Sequence, residues 1–126
     1  VCWQSIQLNP WMAVPVMAAM QHVPIPLPQD PHAPGPFAFA DPQRVRGILG
    51  EAGFAGIDVE DVQTTVSVGA SRDLDEVVDF LLQMGPVGQA MREQHADTLP
   101  RVAAAVREAL LPYHGDQGVR MGAAVW

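Results

Sequence analysis

Lysine is absent from this chain of 126 residues, and its seven arginines face fourteen acidic residues, for a net charge of −7. Without clustered positive charge the chain is a poor partner for nucleic acid, whose phosphates reward such clusters. The same shortage argues against an anionic membrane surface. Cysteine occurs once, at Cys2, so no internal disulfide can form and a cytoplasmic setting is expected. No apolar run approaches the roughly 20 residues that span a bilayer. No basic-then-apolar leader stands at the start.

Catalytic signatures are equally scarce. There is no G-x-S-x-G elbow, no P-loop and no G-x-G-x-x-G loop after a strand. His22, His32, His95 and His114 show no i, i+4 pair and no cysteine partner, which argues against a zinc site. Cys2 has no evident base to activate it. Asp73, Asp75, Glu76 and Asp79 sit together at an expected helix start, where acidic residues complement the macrodipole. No catalytic base can be assigned.

The best-specified stretch is Ala40 to Phe54, ADPQRVRGILGEAGF. Asp41 is suited to the N-cap and Pro42 to the first helical position. Val45, Ile48, Leu49 and Ala52 fall at i, i+3, i+4 and i+7, one apolar face. Gly53 suits the left-handed residue after the helix, with Phe54 able to pack back. Gly47 and Gly50 weaken this helix by about 1 kcal/mol each relative to alanine, so tertiary packing is expected to hold it. An extended run over 57–68 follows, with period-two patterning from Val62 to Val68 that predicts a half-buried strand.

Upstream, Val1-Cys2-Trp3 reads as strand material, and Asn9-Pro10 as the N-cap and first residue of a helix. Pro15 should kink that helix or limit it to short turns. Its Met12, Met17 and Met20 present an adaptable surface, open to two readings: core packing, or the face of an apolar pocket. From Val23 to Pro36, six prolines exclude helix and central strand. The segment reads as an extended crossover, the alternative being a ligand for aromatic grooves. Phe37 and Phe39 should anchor the crossover to the Asp41 helix.

Downstream, helices are expected over 74–84, 87–94 and 98–111, then a turn at 115–118 and a final strand over 119–126 with Val119, Met121, Ala123 and Val125 on one side. Together these elements predict one small α+β domain, 1–126. It has a mixed or antiparallel sheet of about three strands and four or five helices. Val1-Cys2-Trp3 and Gly122 to Trp126 both look cut inside secondary structure; a short edge strand at either end is the alternative.

Several of these features occur in one order: a strand ending in Trp3, then Asn9-Pro10-Trp11, then the proline-rich crossover. Pro36-Phe37-Ala38-Phe39-Ala40-Asp41-Pro42 and, after the helix, Ala52-Gly53-Phe54 follow. That order resembles the C-terminal half of class I S-adenosylmethionine-dependent methyltransferases, in particular the bacterial group acting on small molecules. DLDEVVDFLLQMGP and RVAAAVREALLPY…GVRMGAAVW fit the same half, so the likeness covers nearly the whole chain. It implies part of a Rossmann-like sheet, with 1–3, 57–68 and 119–126 as its fifth, sixth and seventh strands. The seventh would lie between the other two and antiparallel to them, and the helices of 74–111 would form a lid over the substrate. Trp3, Asn9, Trp11, Met12 and Phe39 would line the substrate side.

The family's glycine-rich cofactor loop and acidic ribose-binding residue belong to the half this sequence does not contain. No cofactor site is therefore expected in this chain. The resemblance makes it the substrate-binding and lid portion of such an enzyme, not catalytic alone. The rival is a stand-alone, non-enzymatic module for a small apolar ligand or a protein partner; an enzyme of unrecognised chemistry is a third, weaker possibility. In either of the first two readings, a chain that folds alone is expected to be a homodimer, since its open strand edge and apolar faces need cover.

Overall fold

The computed structural model of the chain describes residues 1–26, 28–93 and 97–126. Gln94, the last residue of the helix expected over 87–94, and His95 lie outside the described residues. Among the described residues the fold is a small α+β unit with five α-helices: α1 (Pro10–Met20), α2 (Pro42–Glu51), α3 (Leu74–Gln83), α4 (Gly85–Arg92) and α5 (Leu99–Leu110). Its sheet contains β1 (Val62–Val68), β2 (His114–Gly115) and β3 (Gly118–Val125), in the order β1-β3-β2 and antiparallel throughout.

β1 and β3 pair from Val62↔Val125 to Val68↔Val119. Beyond Val62 the partner strand has run out, so residues 57–61 are not strand although the sequence pattern extends the run back to Ile57. The half-buried face is also narrower than the pattern predicts. Val68 is buried, Val66 half-buried and Val62 exposed, because helices cover the sheet only toward the α3 end. β3 follows the expected alternation as far as Ala123, with Val119, Met121 and Ala123 buried; beyond it Ala124, expected on the opposite side, is buried as well and Val125 only half-buried. The turn expected at 115–118 closes a hairpin, adding the two-residue β2, which hydrophobic periodicity is too coarse to detect. Gly118 has φ +84°, and a Cβ there would lie 2.8 Å from the Ser71 carbonyl oxygen, so glycine is required on both counts.

On the other side of β3 the N-terminal segment replaces a full strand. Trp3 bridges Val125 in antiparallel fashion; Cys2 and Trp126 exchange N–H···O bonds of 3.2 and 2.8 Å, and the Gln4 N–H donates to Ala124 O at 3.0 Å. The C-terminal part of β3 thus lies between residues 1–4 and β1, antiparallel to both.

The core forms where α1, α3, α4 and α5 meet this sheet, around Val16, Val77, Val102, Val106, Leu110 and Met121. α1 runs unbroken through Pro15, so the expected limit to short turns does not occur, although the ring removes the bond that the Trp11 carbonyl would have received. Pro15 itself is buried, and core packing keeps the helix whole. In the proline-rich crossover, Val23 and Ile25 enter the core while Pro24 and Pro26 stay exposed, a period of two.

Capping matches the side-chain chemistry in two helices. The Asp41 carboxylate accepts from Gln43 N–H at 2.8 Å, and that of Asp73 from Asp75 and Glu76 N–H at 2.8 and 3.1 Å. Gly53 (φ +90°) ends α2, with Phe54 N–H donating to Leu49 O at 3.0 Å; this is a Schellman close. Phe54 itself stays exposed. No α2 residue is buried, so the tertiary packing expected of this glycine-weakened helix is not supplied by the described residues.

α3 and α4 meet so closely that a Cβ on Gly88 would fall on the Gln83 carbonyl. Gly88→Ala should therefore cost about 1–3 kcal/mol in urea unfolding through overpacking. Gly47, by contrast, sits in α2 with open space at its Cβ position, and Gly47→Ala should add about 0.5–1 kcal/mol from helix propensity. Equal effects of the two substitutions would contradict this packing.

Candidate functional site

The five residues that the family resemblance assigns to the substrate side divide into two places. Trp3, Asn9, Trp11 and Met12 come together where the N-terminal segment turns into α1. Phe39 lies apart, beside α2.

Asn9 occupies the N-cap position of α1, but its side chain does not cap the helix. It is 0% exposed, and its carboxamide is turned toward β3. Nδ2 donates toward the carbonyls of Gln4, Ser5 and Ala124 at 3.3, 3.0 and 3.1 Å. Oδ1 accepts from the Ala124 N–H and from Trp11 Nε1, both at 3.0 Å. Asn9 and Ala124 thereby exchange bonds in both directions as two paired strand residues do, and the side chain stands in for a peptide unit at the strand edge. With every polar atom of the carboxamide engaged inside the protein, Asn9 positions its neighbours. It presents nothing to a ligand.

Gln4, also buried, extends the tie by donating from Nε2 to Asp61 Oδ1 at 2.7 Å and to Val125 O at 3.1 Å. Trp11 is held twice: by its bond to Asn9 and by the Trp3 ring, whose centroid lies 4.8 Å away at an interplanar angle of 49°. That tilted arrangement is favourable for aromatic pairs.

Trp11 and Met12 form one wall of a cavity of about 330 Å³ between α1, the end of β1, α3 and α4. Val66, Phe80, Met84 and Val87 line it further, together with Gly69 and Gly85. No ionisable side chain is among its lining residues, so the cavity can enclose an apolar molecule but offers no acid or base. The methionine face of α1 divides accordingly: Met12 lines the cavity, while Met17 and Met20 are exposed.

Phe80 escapes sequence reasoning because it falls outside the apolar stripe Leu74, Val77, Val78, Leu81 and Leu82 of α3, whereas Met84, seven residues after Val77, is in line with that stripe at the helix C-cap. The displacement of Phe80 is itself the usable signal. A large apolar residue on an otherwise polar helix face is exposed unless something covers it.

Phe39 lines a second cavity of about 350 Å³, bounded by Val45, Ile48 and Leu49 of α2 and by Val1, Cys2 and Trp126. The Arg44 guanidinium lies 5.9 Å from its ring centroid, within cation–π range. Trp126 Nε1 donates to Ala40 O at 3.0 Å, which ties the start of α2 to the end of β3. Phe39 thus belongs to the α2 face, away from Trp11 and Met12. His22, His32 and His114 are all exposed, and among the described residues no three His, Cys, Asp or Glu side chains converge. Also among the described residues, no helix is long and apolar enough to cross a membrane.

Comparison with known protein families, curated proteins and solved structures finds no match to this chain.

Removing the Asn9 carboxamide leaves several buried polar groups unpaired. Asn9→Ala should lower stability by about 3 kcal/mol in urea unfolding, given about 1–3 kcal/mol per orphaned group. Asn9→Asp should cost at least as much, because a buried carboxylate would face three carbonyl oxygens. A loss below about 1 kcal/mol for both variants, on the scale of one ordinary hydrogen bond, would show that the node is dispensable.

Proposed function

We propose that this chain is the substrate-binding and lid portion of an S-adenosylmethionine-dependent methyltransferase-like protein, without methyl-transfer activity of its own. The observation that carries the reading is the strand arrangement. Residues 1–4, β3 and β1 lie side by side in that order with β3 antiparallel to both flanks, the arrangement that the family resemblance implies for the fifth, seventh and sixth strands. α3, α4 and α5 fall between β1 and β3 in the chain, where the resemblance expects a lid, and α3 and α4 wall the Trp11–Met12 cavity.

The residues present do not fit the cofactor. Among the described residues, a segment runs through a loop into a helix after a strand or strand-like stretch at two places, residues 1–10 and 68–74. The first contains no glycine. The second contains Gly69 alone, and the Asp73 carboxylate already occupies the α3 N-terminus. Neither lets backbone and helix dipole approach a nucleoside as a glycine-rich loop does.

The open α2 face and the edge at residues 1–4 favour a second reading for the isolated chain: a self-associating, non-enzymatic binding module, with a second copy covering both surfaces. Calorimetric titration of S-adenosylmethionine and its demethylated product, with light scattering alongside, tests both. The folded chain should be a dimer that takes up neither compound. Micromolar binding would overturn the non-catalytic reading, and a clean monomer would overturn self-association.

A further inference from the structure

We infer that the cavity between α1, β1, α3 and α4 is a preformed chamber for an uncharged aromatic molecule of one or two fused rings. This deepens the reading above and rests on it for the word substrate; the binding itself needs only this chain.

Two glycine turns flank the chamber. Gly69 (φ +72°) and Gly85 (φ +58°) stand on its two sides. At Gly69 a Cβ would lie 3.2 Å from Val77 Cγ2 and 3.7 Å from the Phe80 ring, and at Gly85 one would lie 3.8 Å from Met12 Cε, so the close approach is to the core valine, while Phe80 and Met12 stand at ordinary contact distance. The turn at Gly85 and the α3–α4 contact at Gly88 leave little freedom for collapse. Trp11 cannot swing in, because Asn9 holds its indole nitrogen and Trp3 packs on its ring.

The walls select the occupant. Trp11 on α1 and Phe80 on α3 supply aromatic surface, which prefers offset or edge-to-face partners, and Met12 and Met84 add sulfur that contacts ring edges favourably. Phe80 and Met84 are 43% and 54% exposed without a ligand, so an apolar occupant would remove their surface from water. No ionisable side chain lines the chamber to compensate a charge, and an uncompensated charge is costly to bury. At about 330 Å³ the volume sits at the small end of ligand pockets, which suits one or two rings.

The test is titration of 2-naphthol, 2-naphthoate and 1-octanol into the whole chain, followed by calorimetry and by amide chemical shifts. 2-Naphthol should bind at least tenfold more tightly than either of the others and shift amides at Val66, Gly69, Gly85 and Val87. Val66→Phe, which fills the chamber, and Phe80→Ala, which removes a half-exposed wall, should each weaken binding at least tenfold while the amide spectrum stays folded. No binding of 2-naphthol, equal binding of 2-naphthoate, tighter binding of 1-octanol, or no effect of either variant would overturn the inference. Failure of the methyltransferase-like reading is read separately, from uptake of S-adenosylmethionine.

Discussion

The buried carboxamide of Asn9 is the constraint on which the rest of the arrangement depends. An asparagine side chain carries one carbonyl oxygen and one amino group in a plane, as a peptide unit does, and Asn9 uses both on Ala124. That exchange continues the edge of β3 past the point where the short segment 1–4 can serve it. The remaining donor and acceptor capacity reaches Gln4, Ser5 and Trp11. One side chain therefore sets where the N-terminal segment crosses the sheet, where α1 begins and how the Trp11 ring stands. In the buried interior, groups so tightly grouped are costly to leave unpaired, which makes the node an all-or-none feature.

From this node the molecule divides into a well-packed side and an open one. α1, α3, α4 and α5 share the core with β3, and the glycines at 88 and 118 allow backbone contacts that no other residue permits. α2 is held differently. Its start is tied to β3 through Trp126 and its ends are capped, yet its apolar stripe faces a cavity. Local signals suffice to form the helix. Its burial requires a surface that the described residues do not provide.

This division also explains which features the sequence pattern made legible. Helix boundaries were readable where punctuation is local: Asp41-Pro42 and Gly53 around α2, and Asp73 before α3. The small α+β fold and the alternation of β3 as far as Ala123 followed from periodicity, but not the burial of Ala124. The length of β1 did not, because residues 57–61 alternate acceptably and only the end of β3 at Val125 denies them a partner. Nor did the behaviour of Pro15, since its effect is decided by the packing around it. Asn9 shows the limit most clearly. Asn-Pro before an apolar run is a sound capping signal and the residue does stand at the N-cap, but its side chain is recruited by a strand 115 residues away in sequence. Of the residues assigned to the substrate side by resemblance, Trp3, Asn9, Trp11 and Met12 are neighbours in space and Phe39 is not; Phe80 was invisible to the pattern.

Native-state hydrogen exchange at the Ala124 amide tests the role of Asn9 most directly. If the carboxamide is a structural peptide substitute, the Ala124 N–H should exchange only by global unfolding, with the same opening free energy and denaturant dependence as the core amides of Val106 and Leu110. Exchange of Ala124 by local opening, many times faster than those two while the core remains protected, would contradict the account.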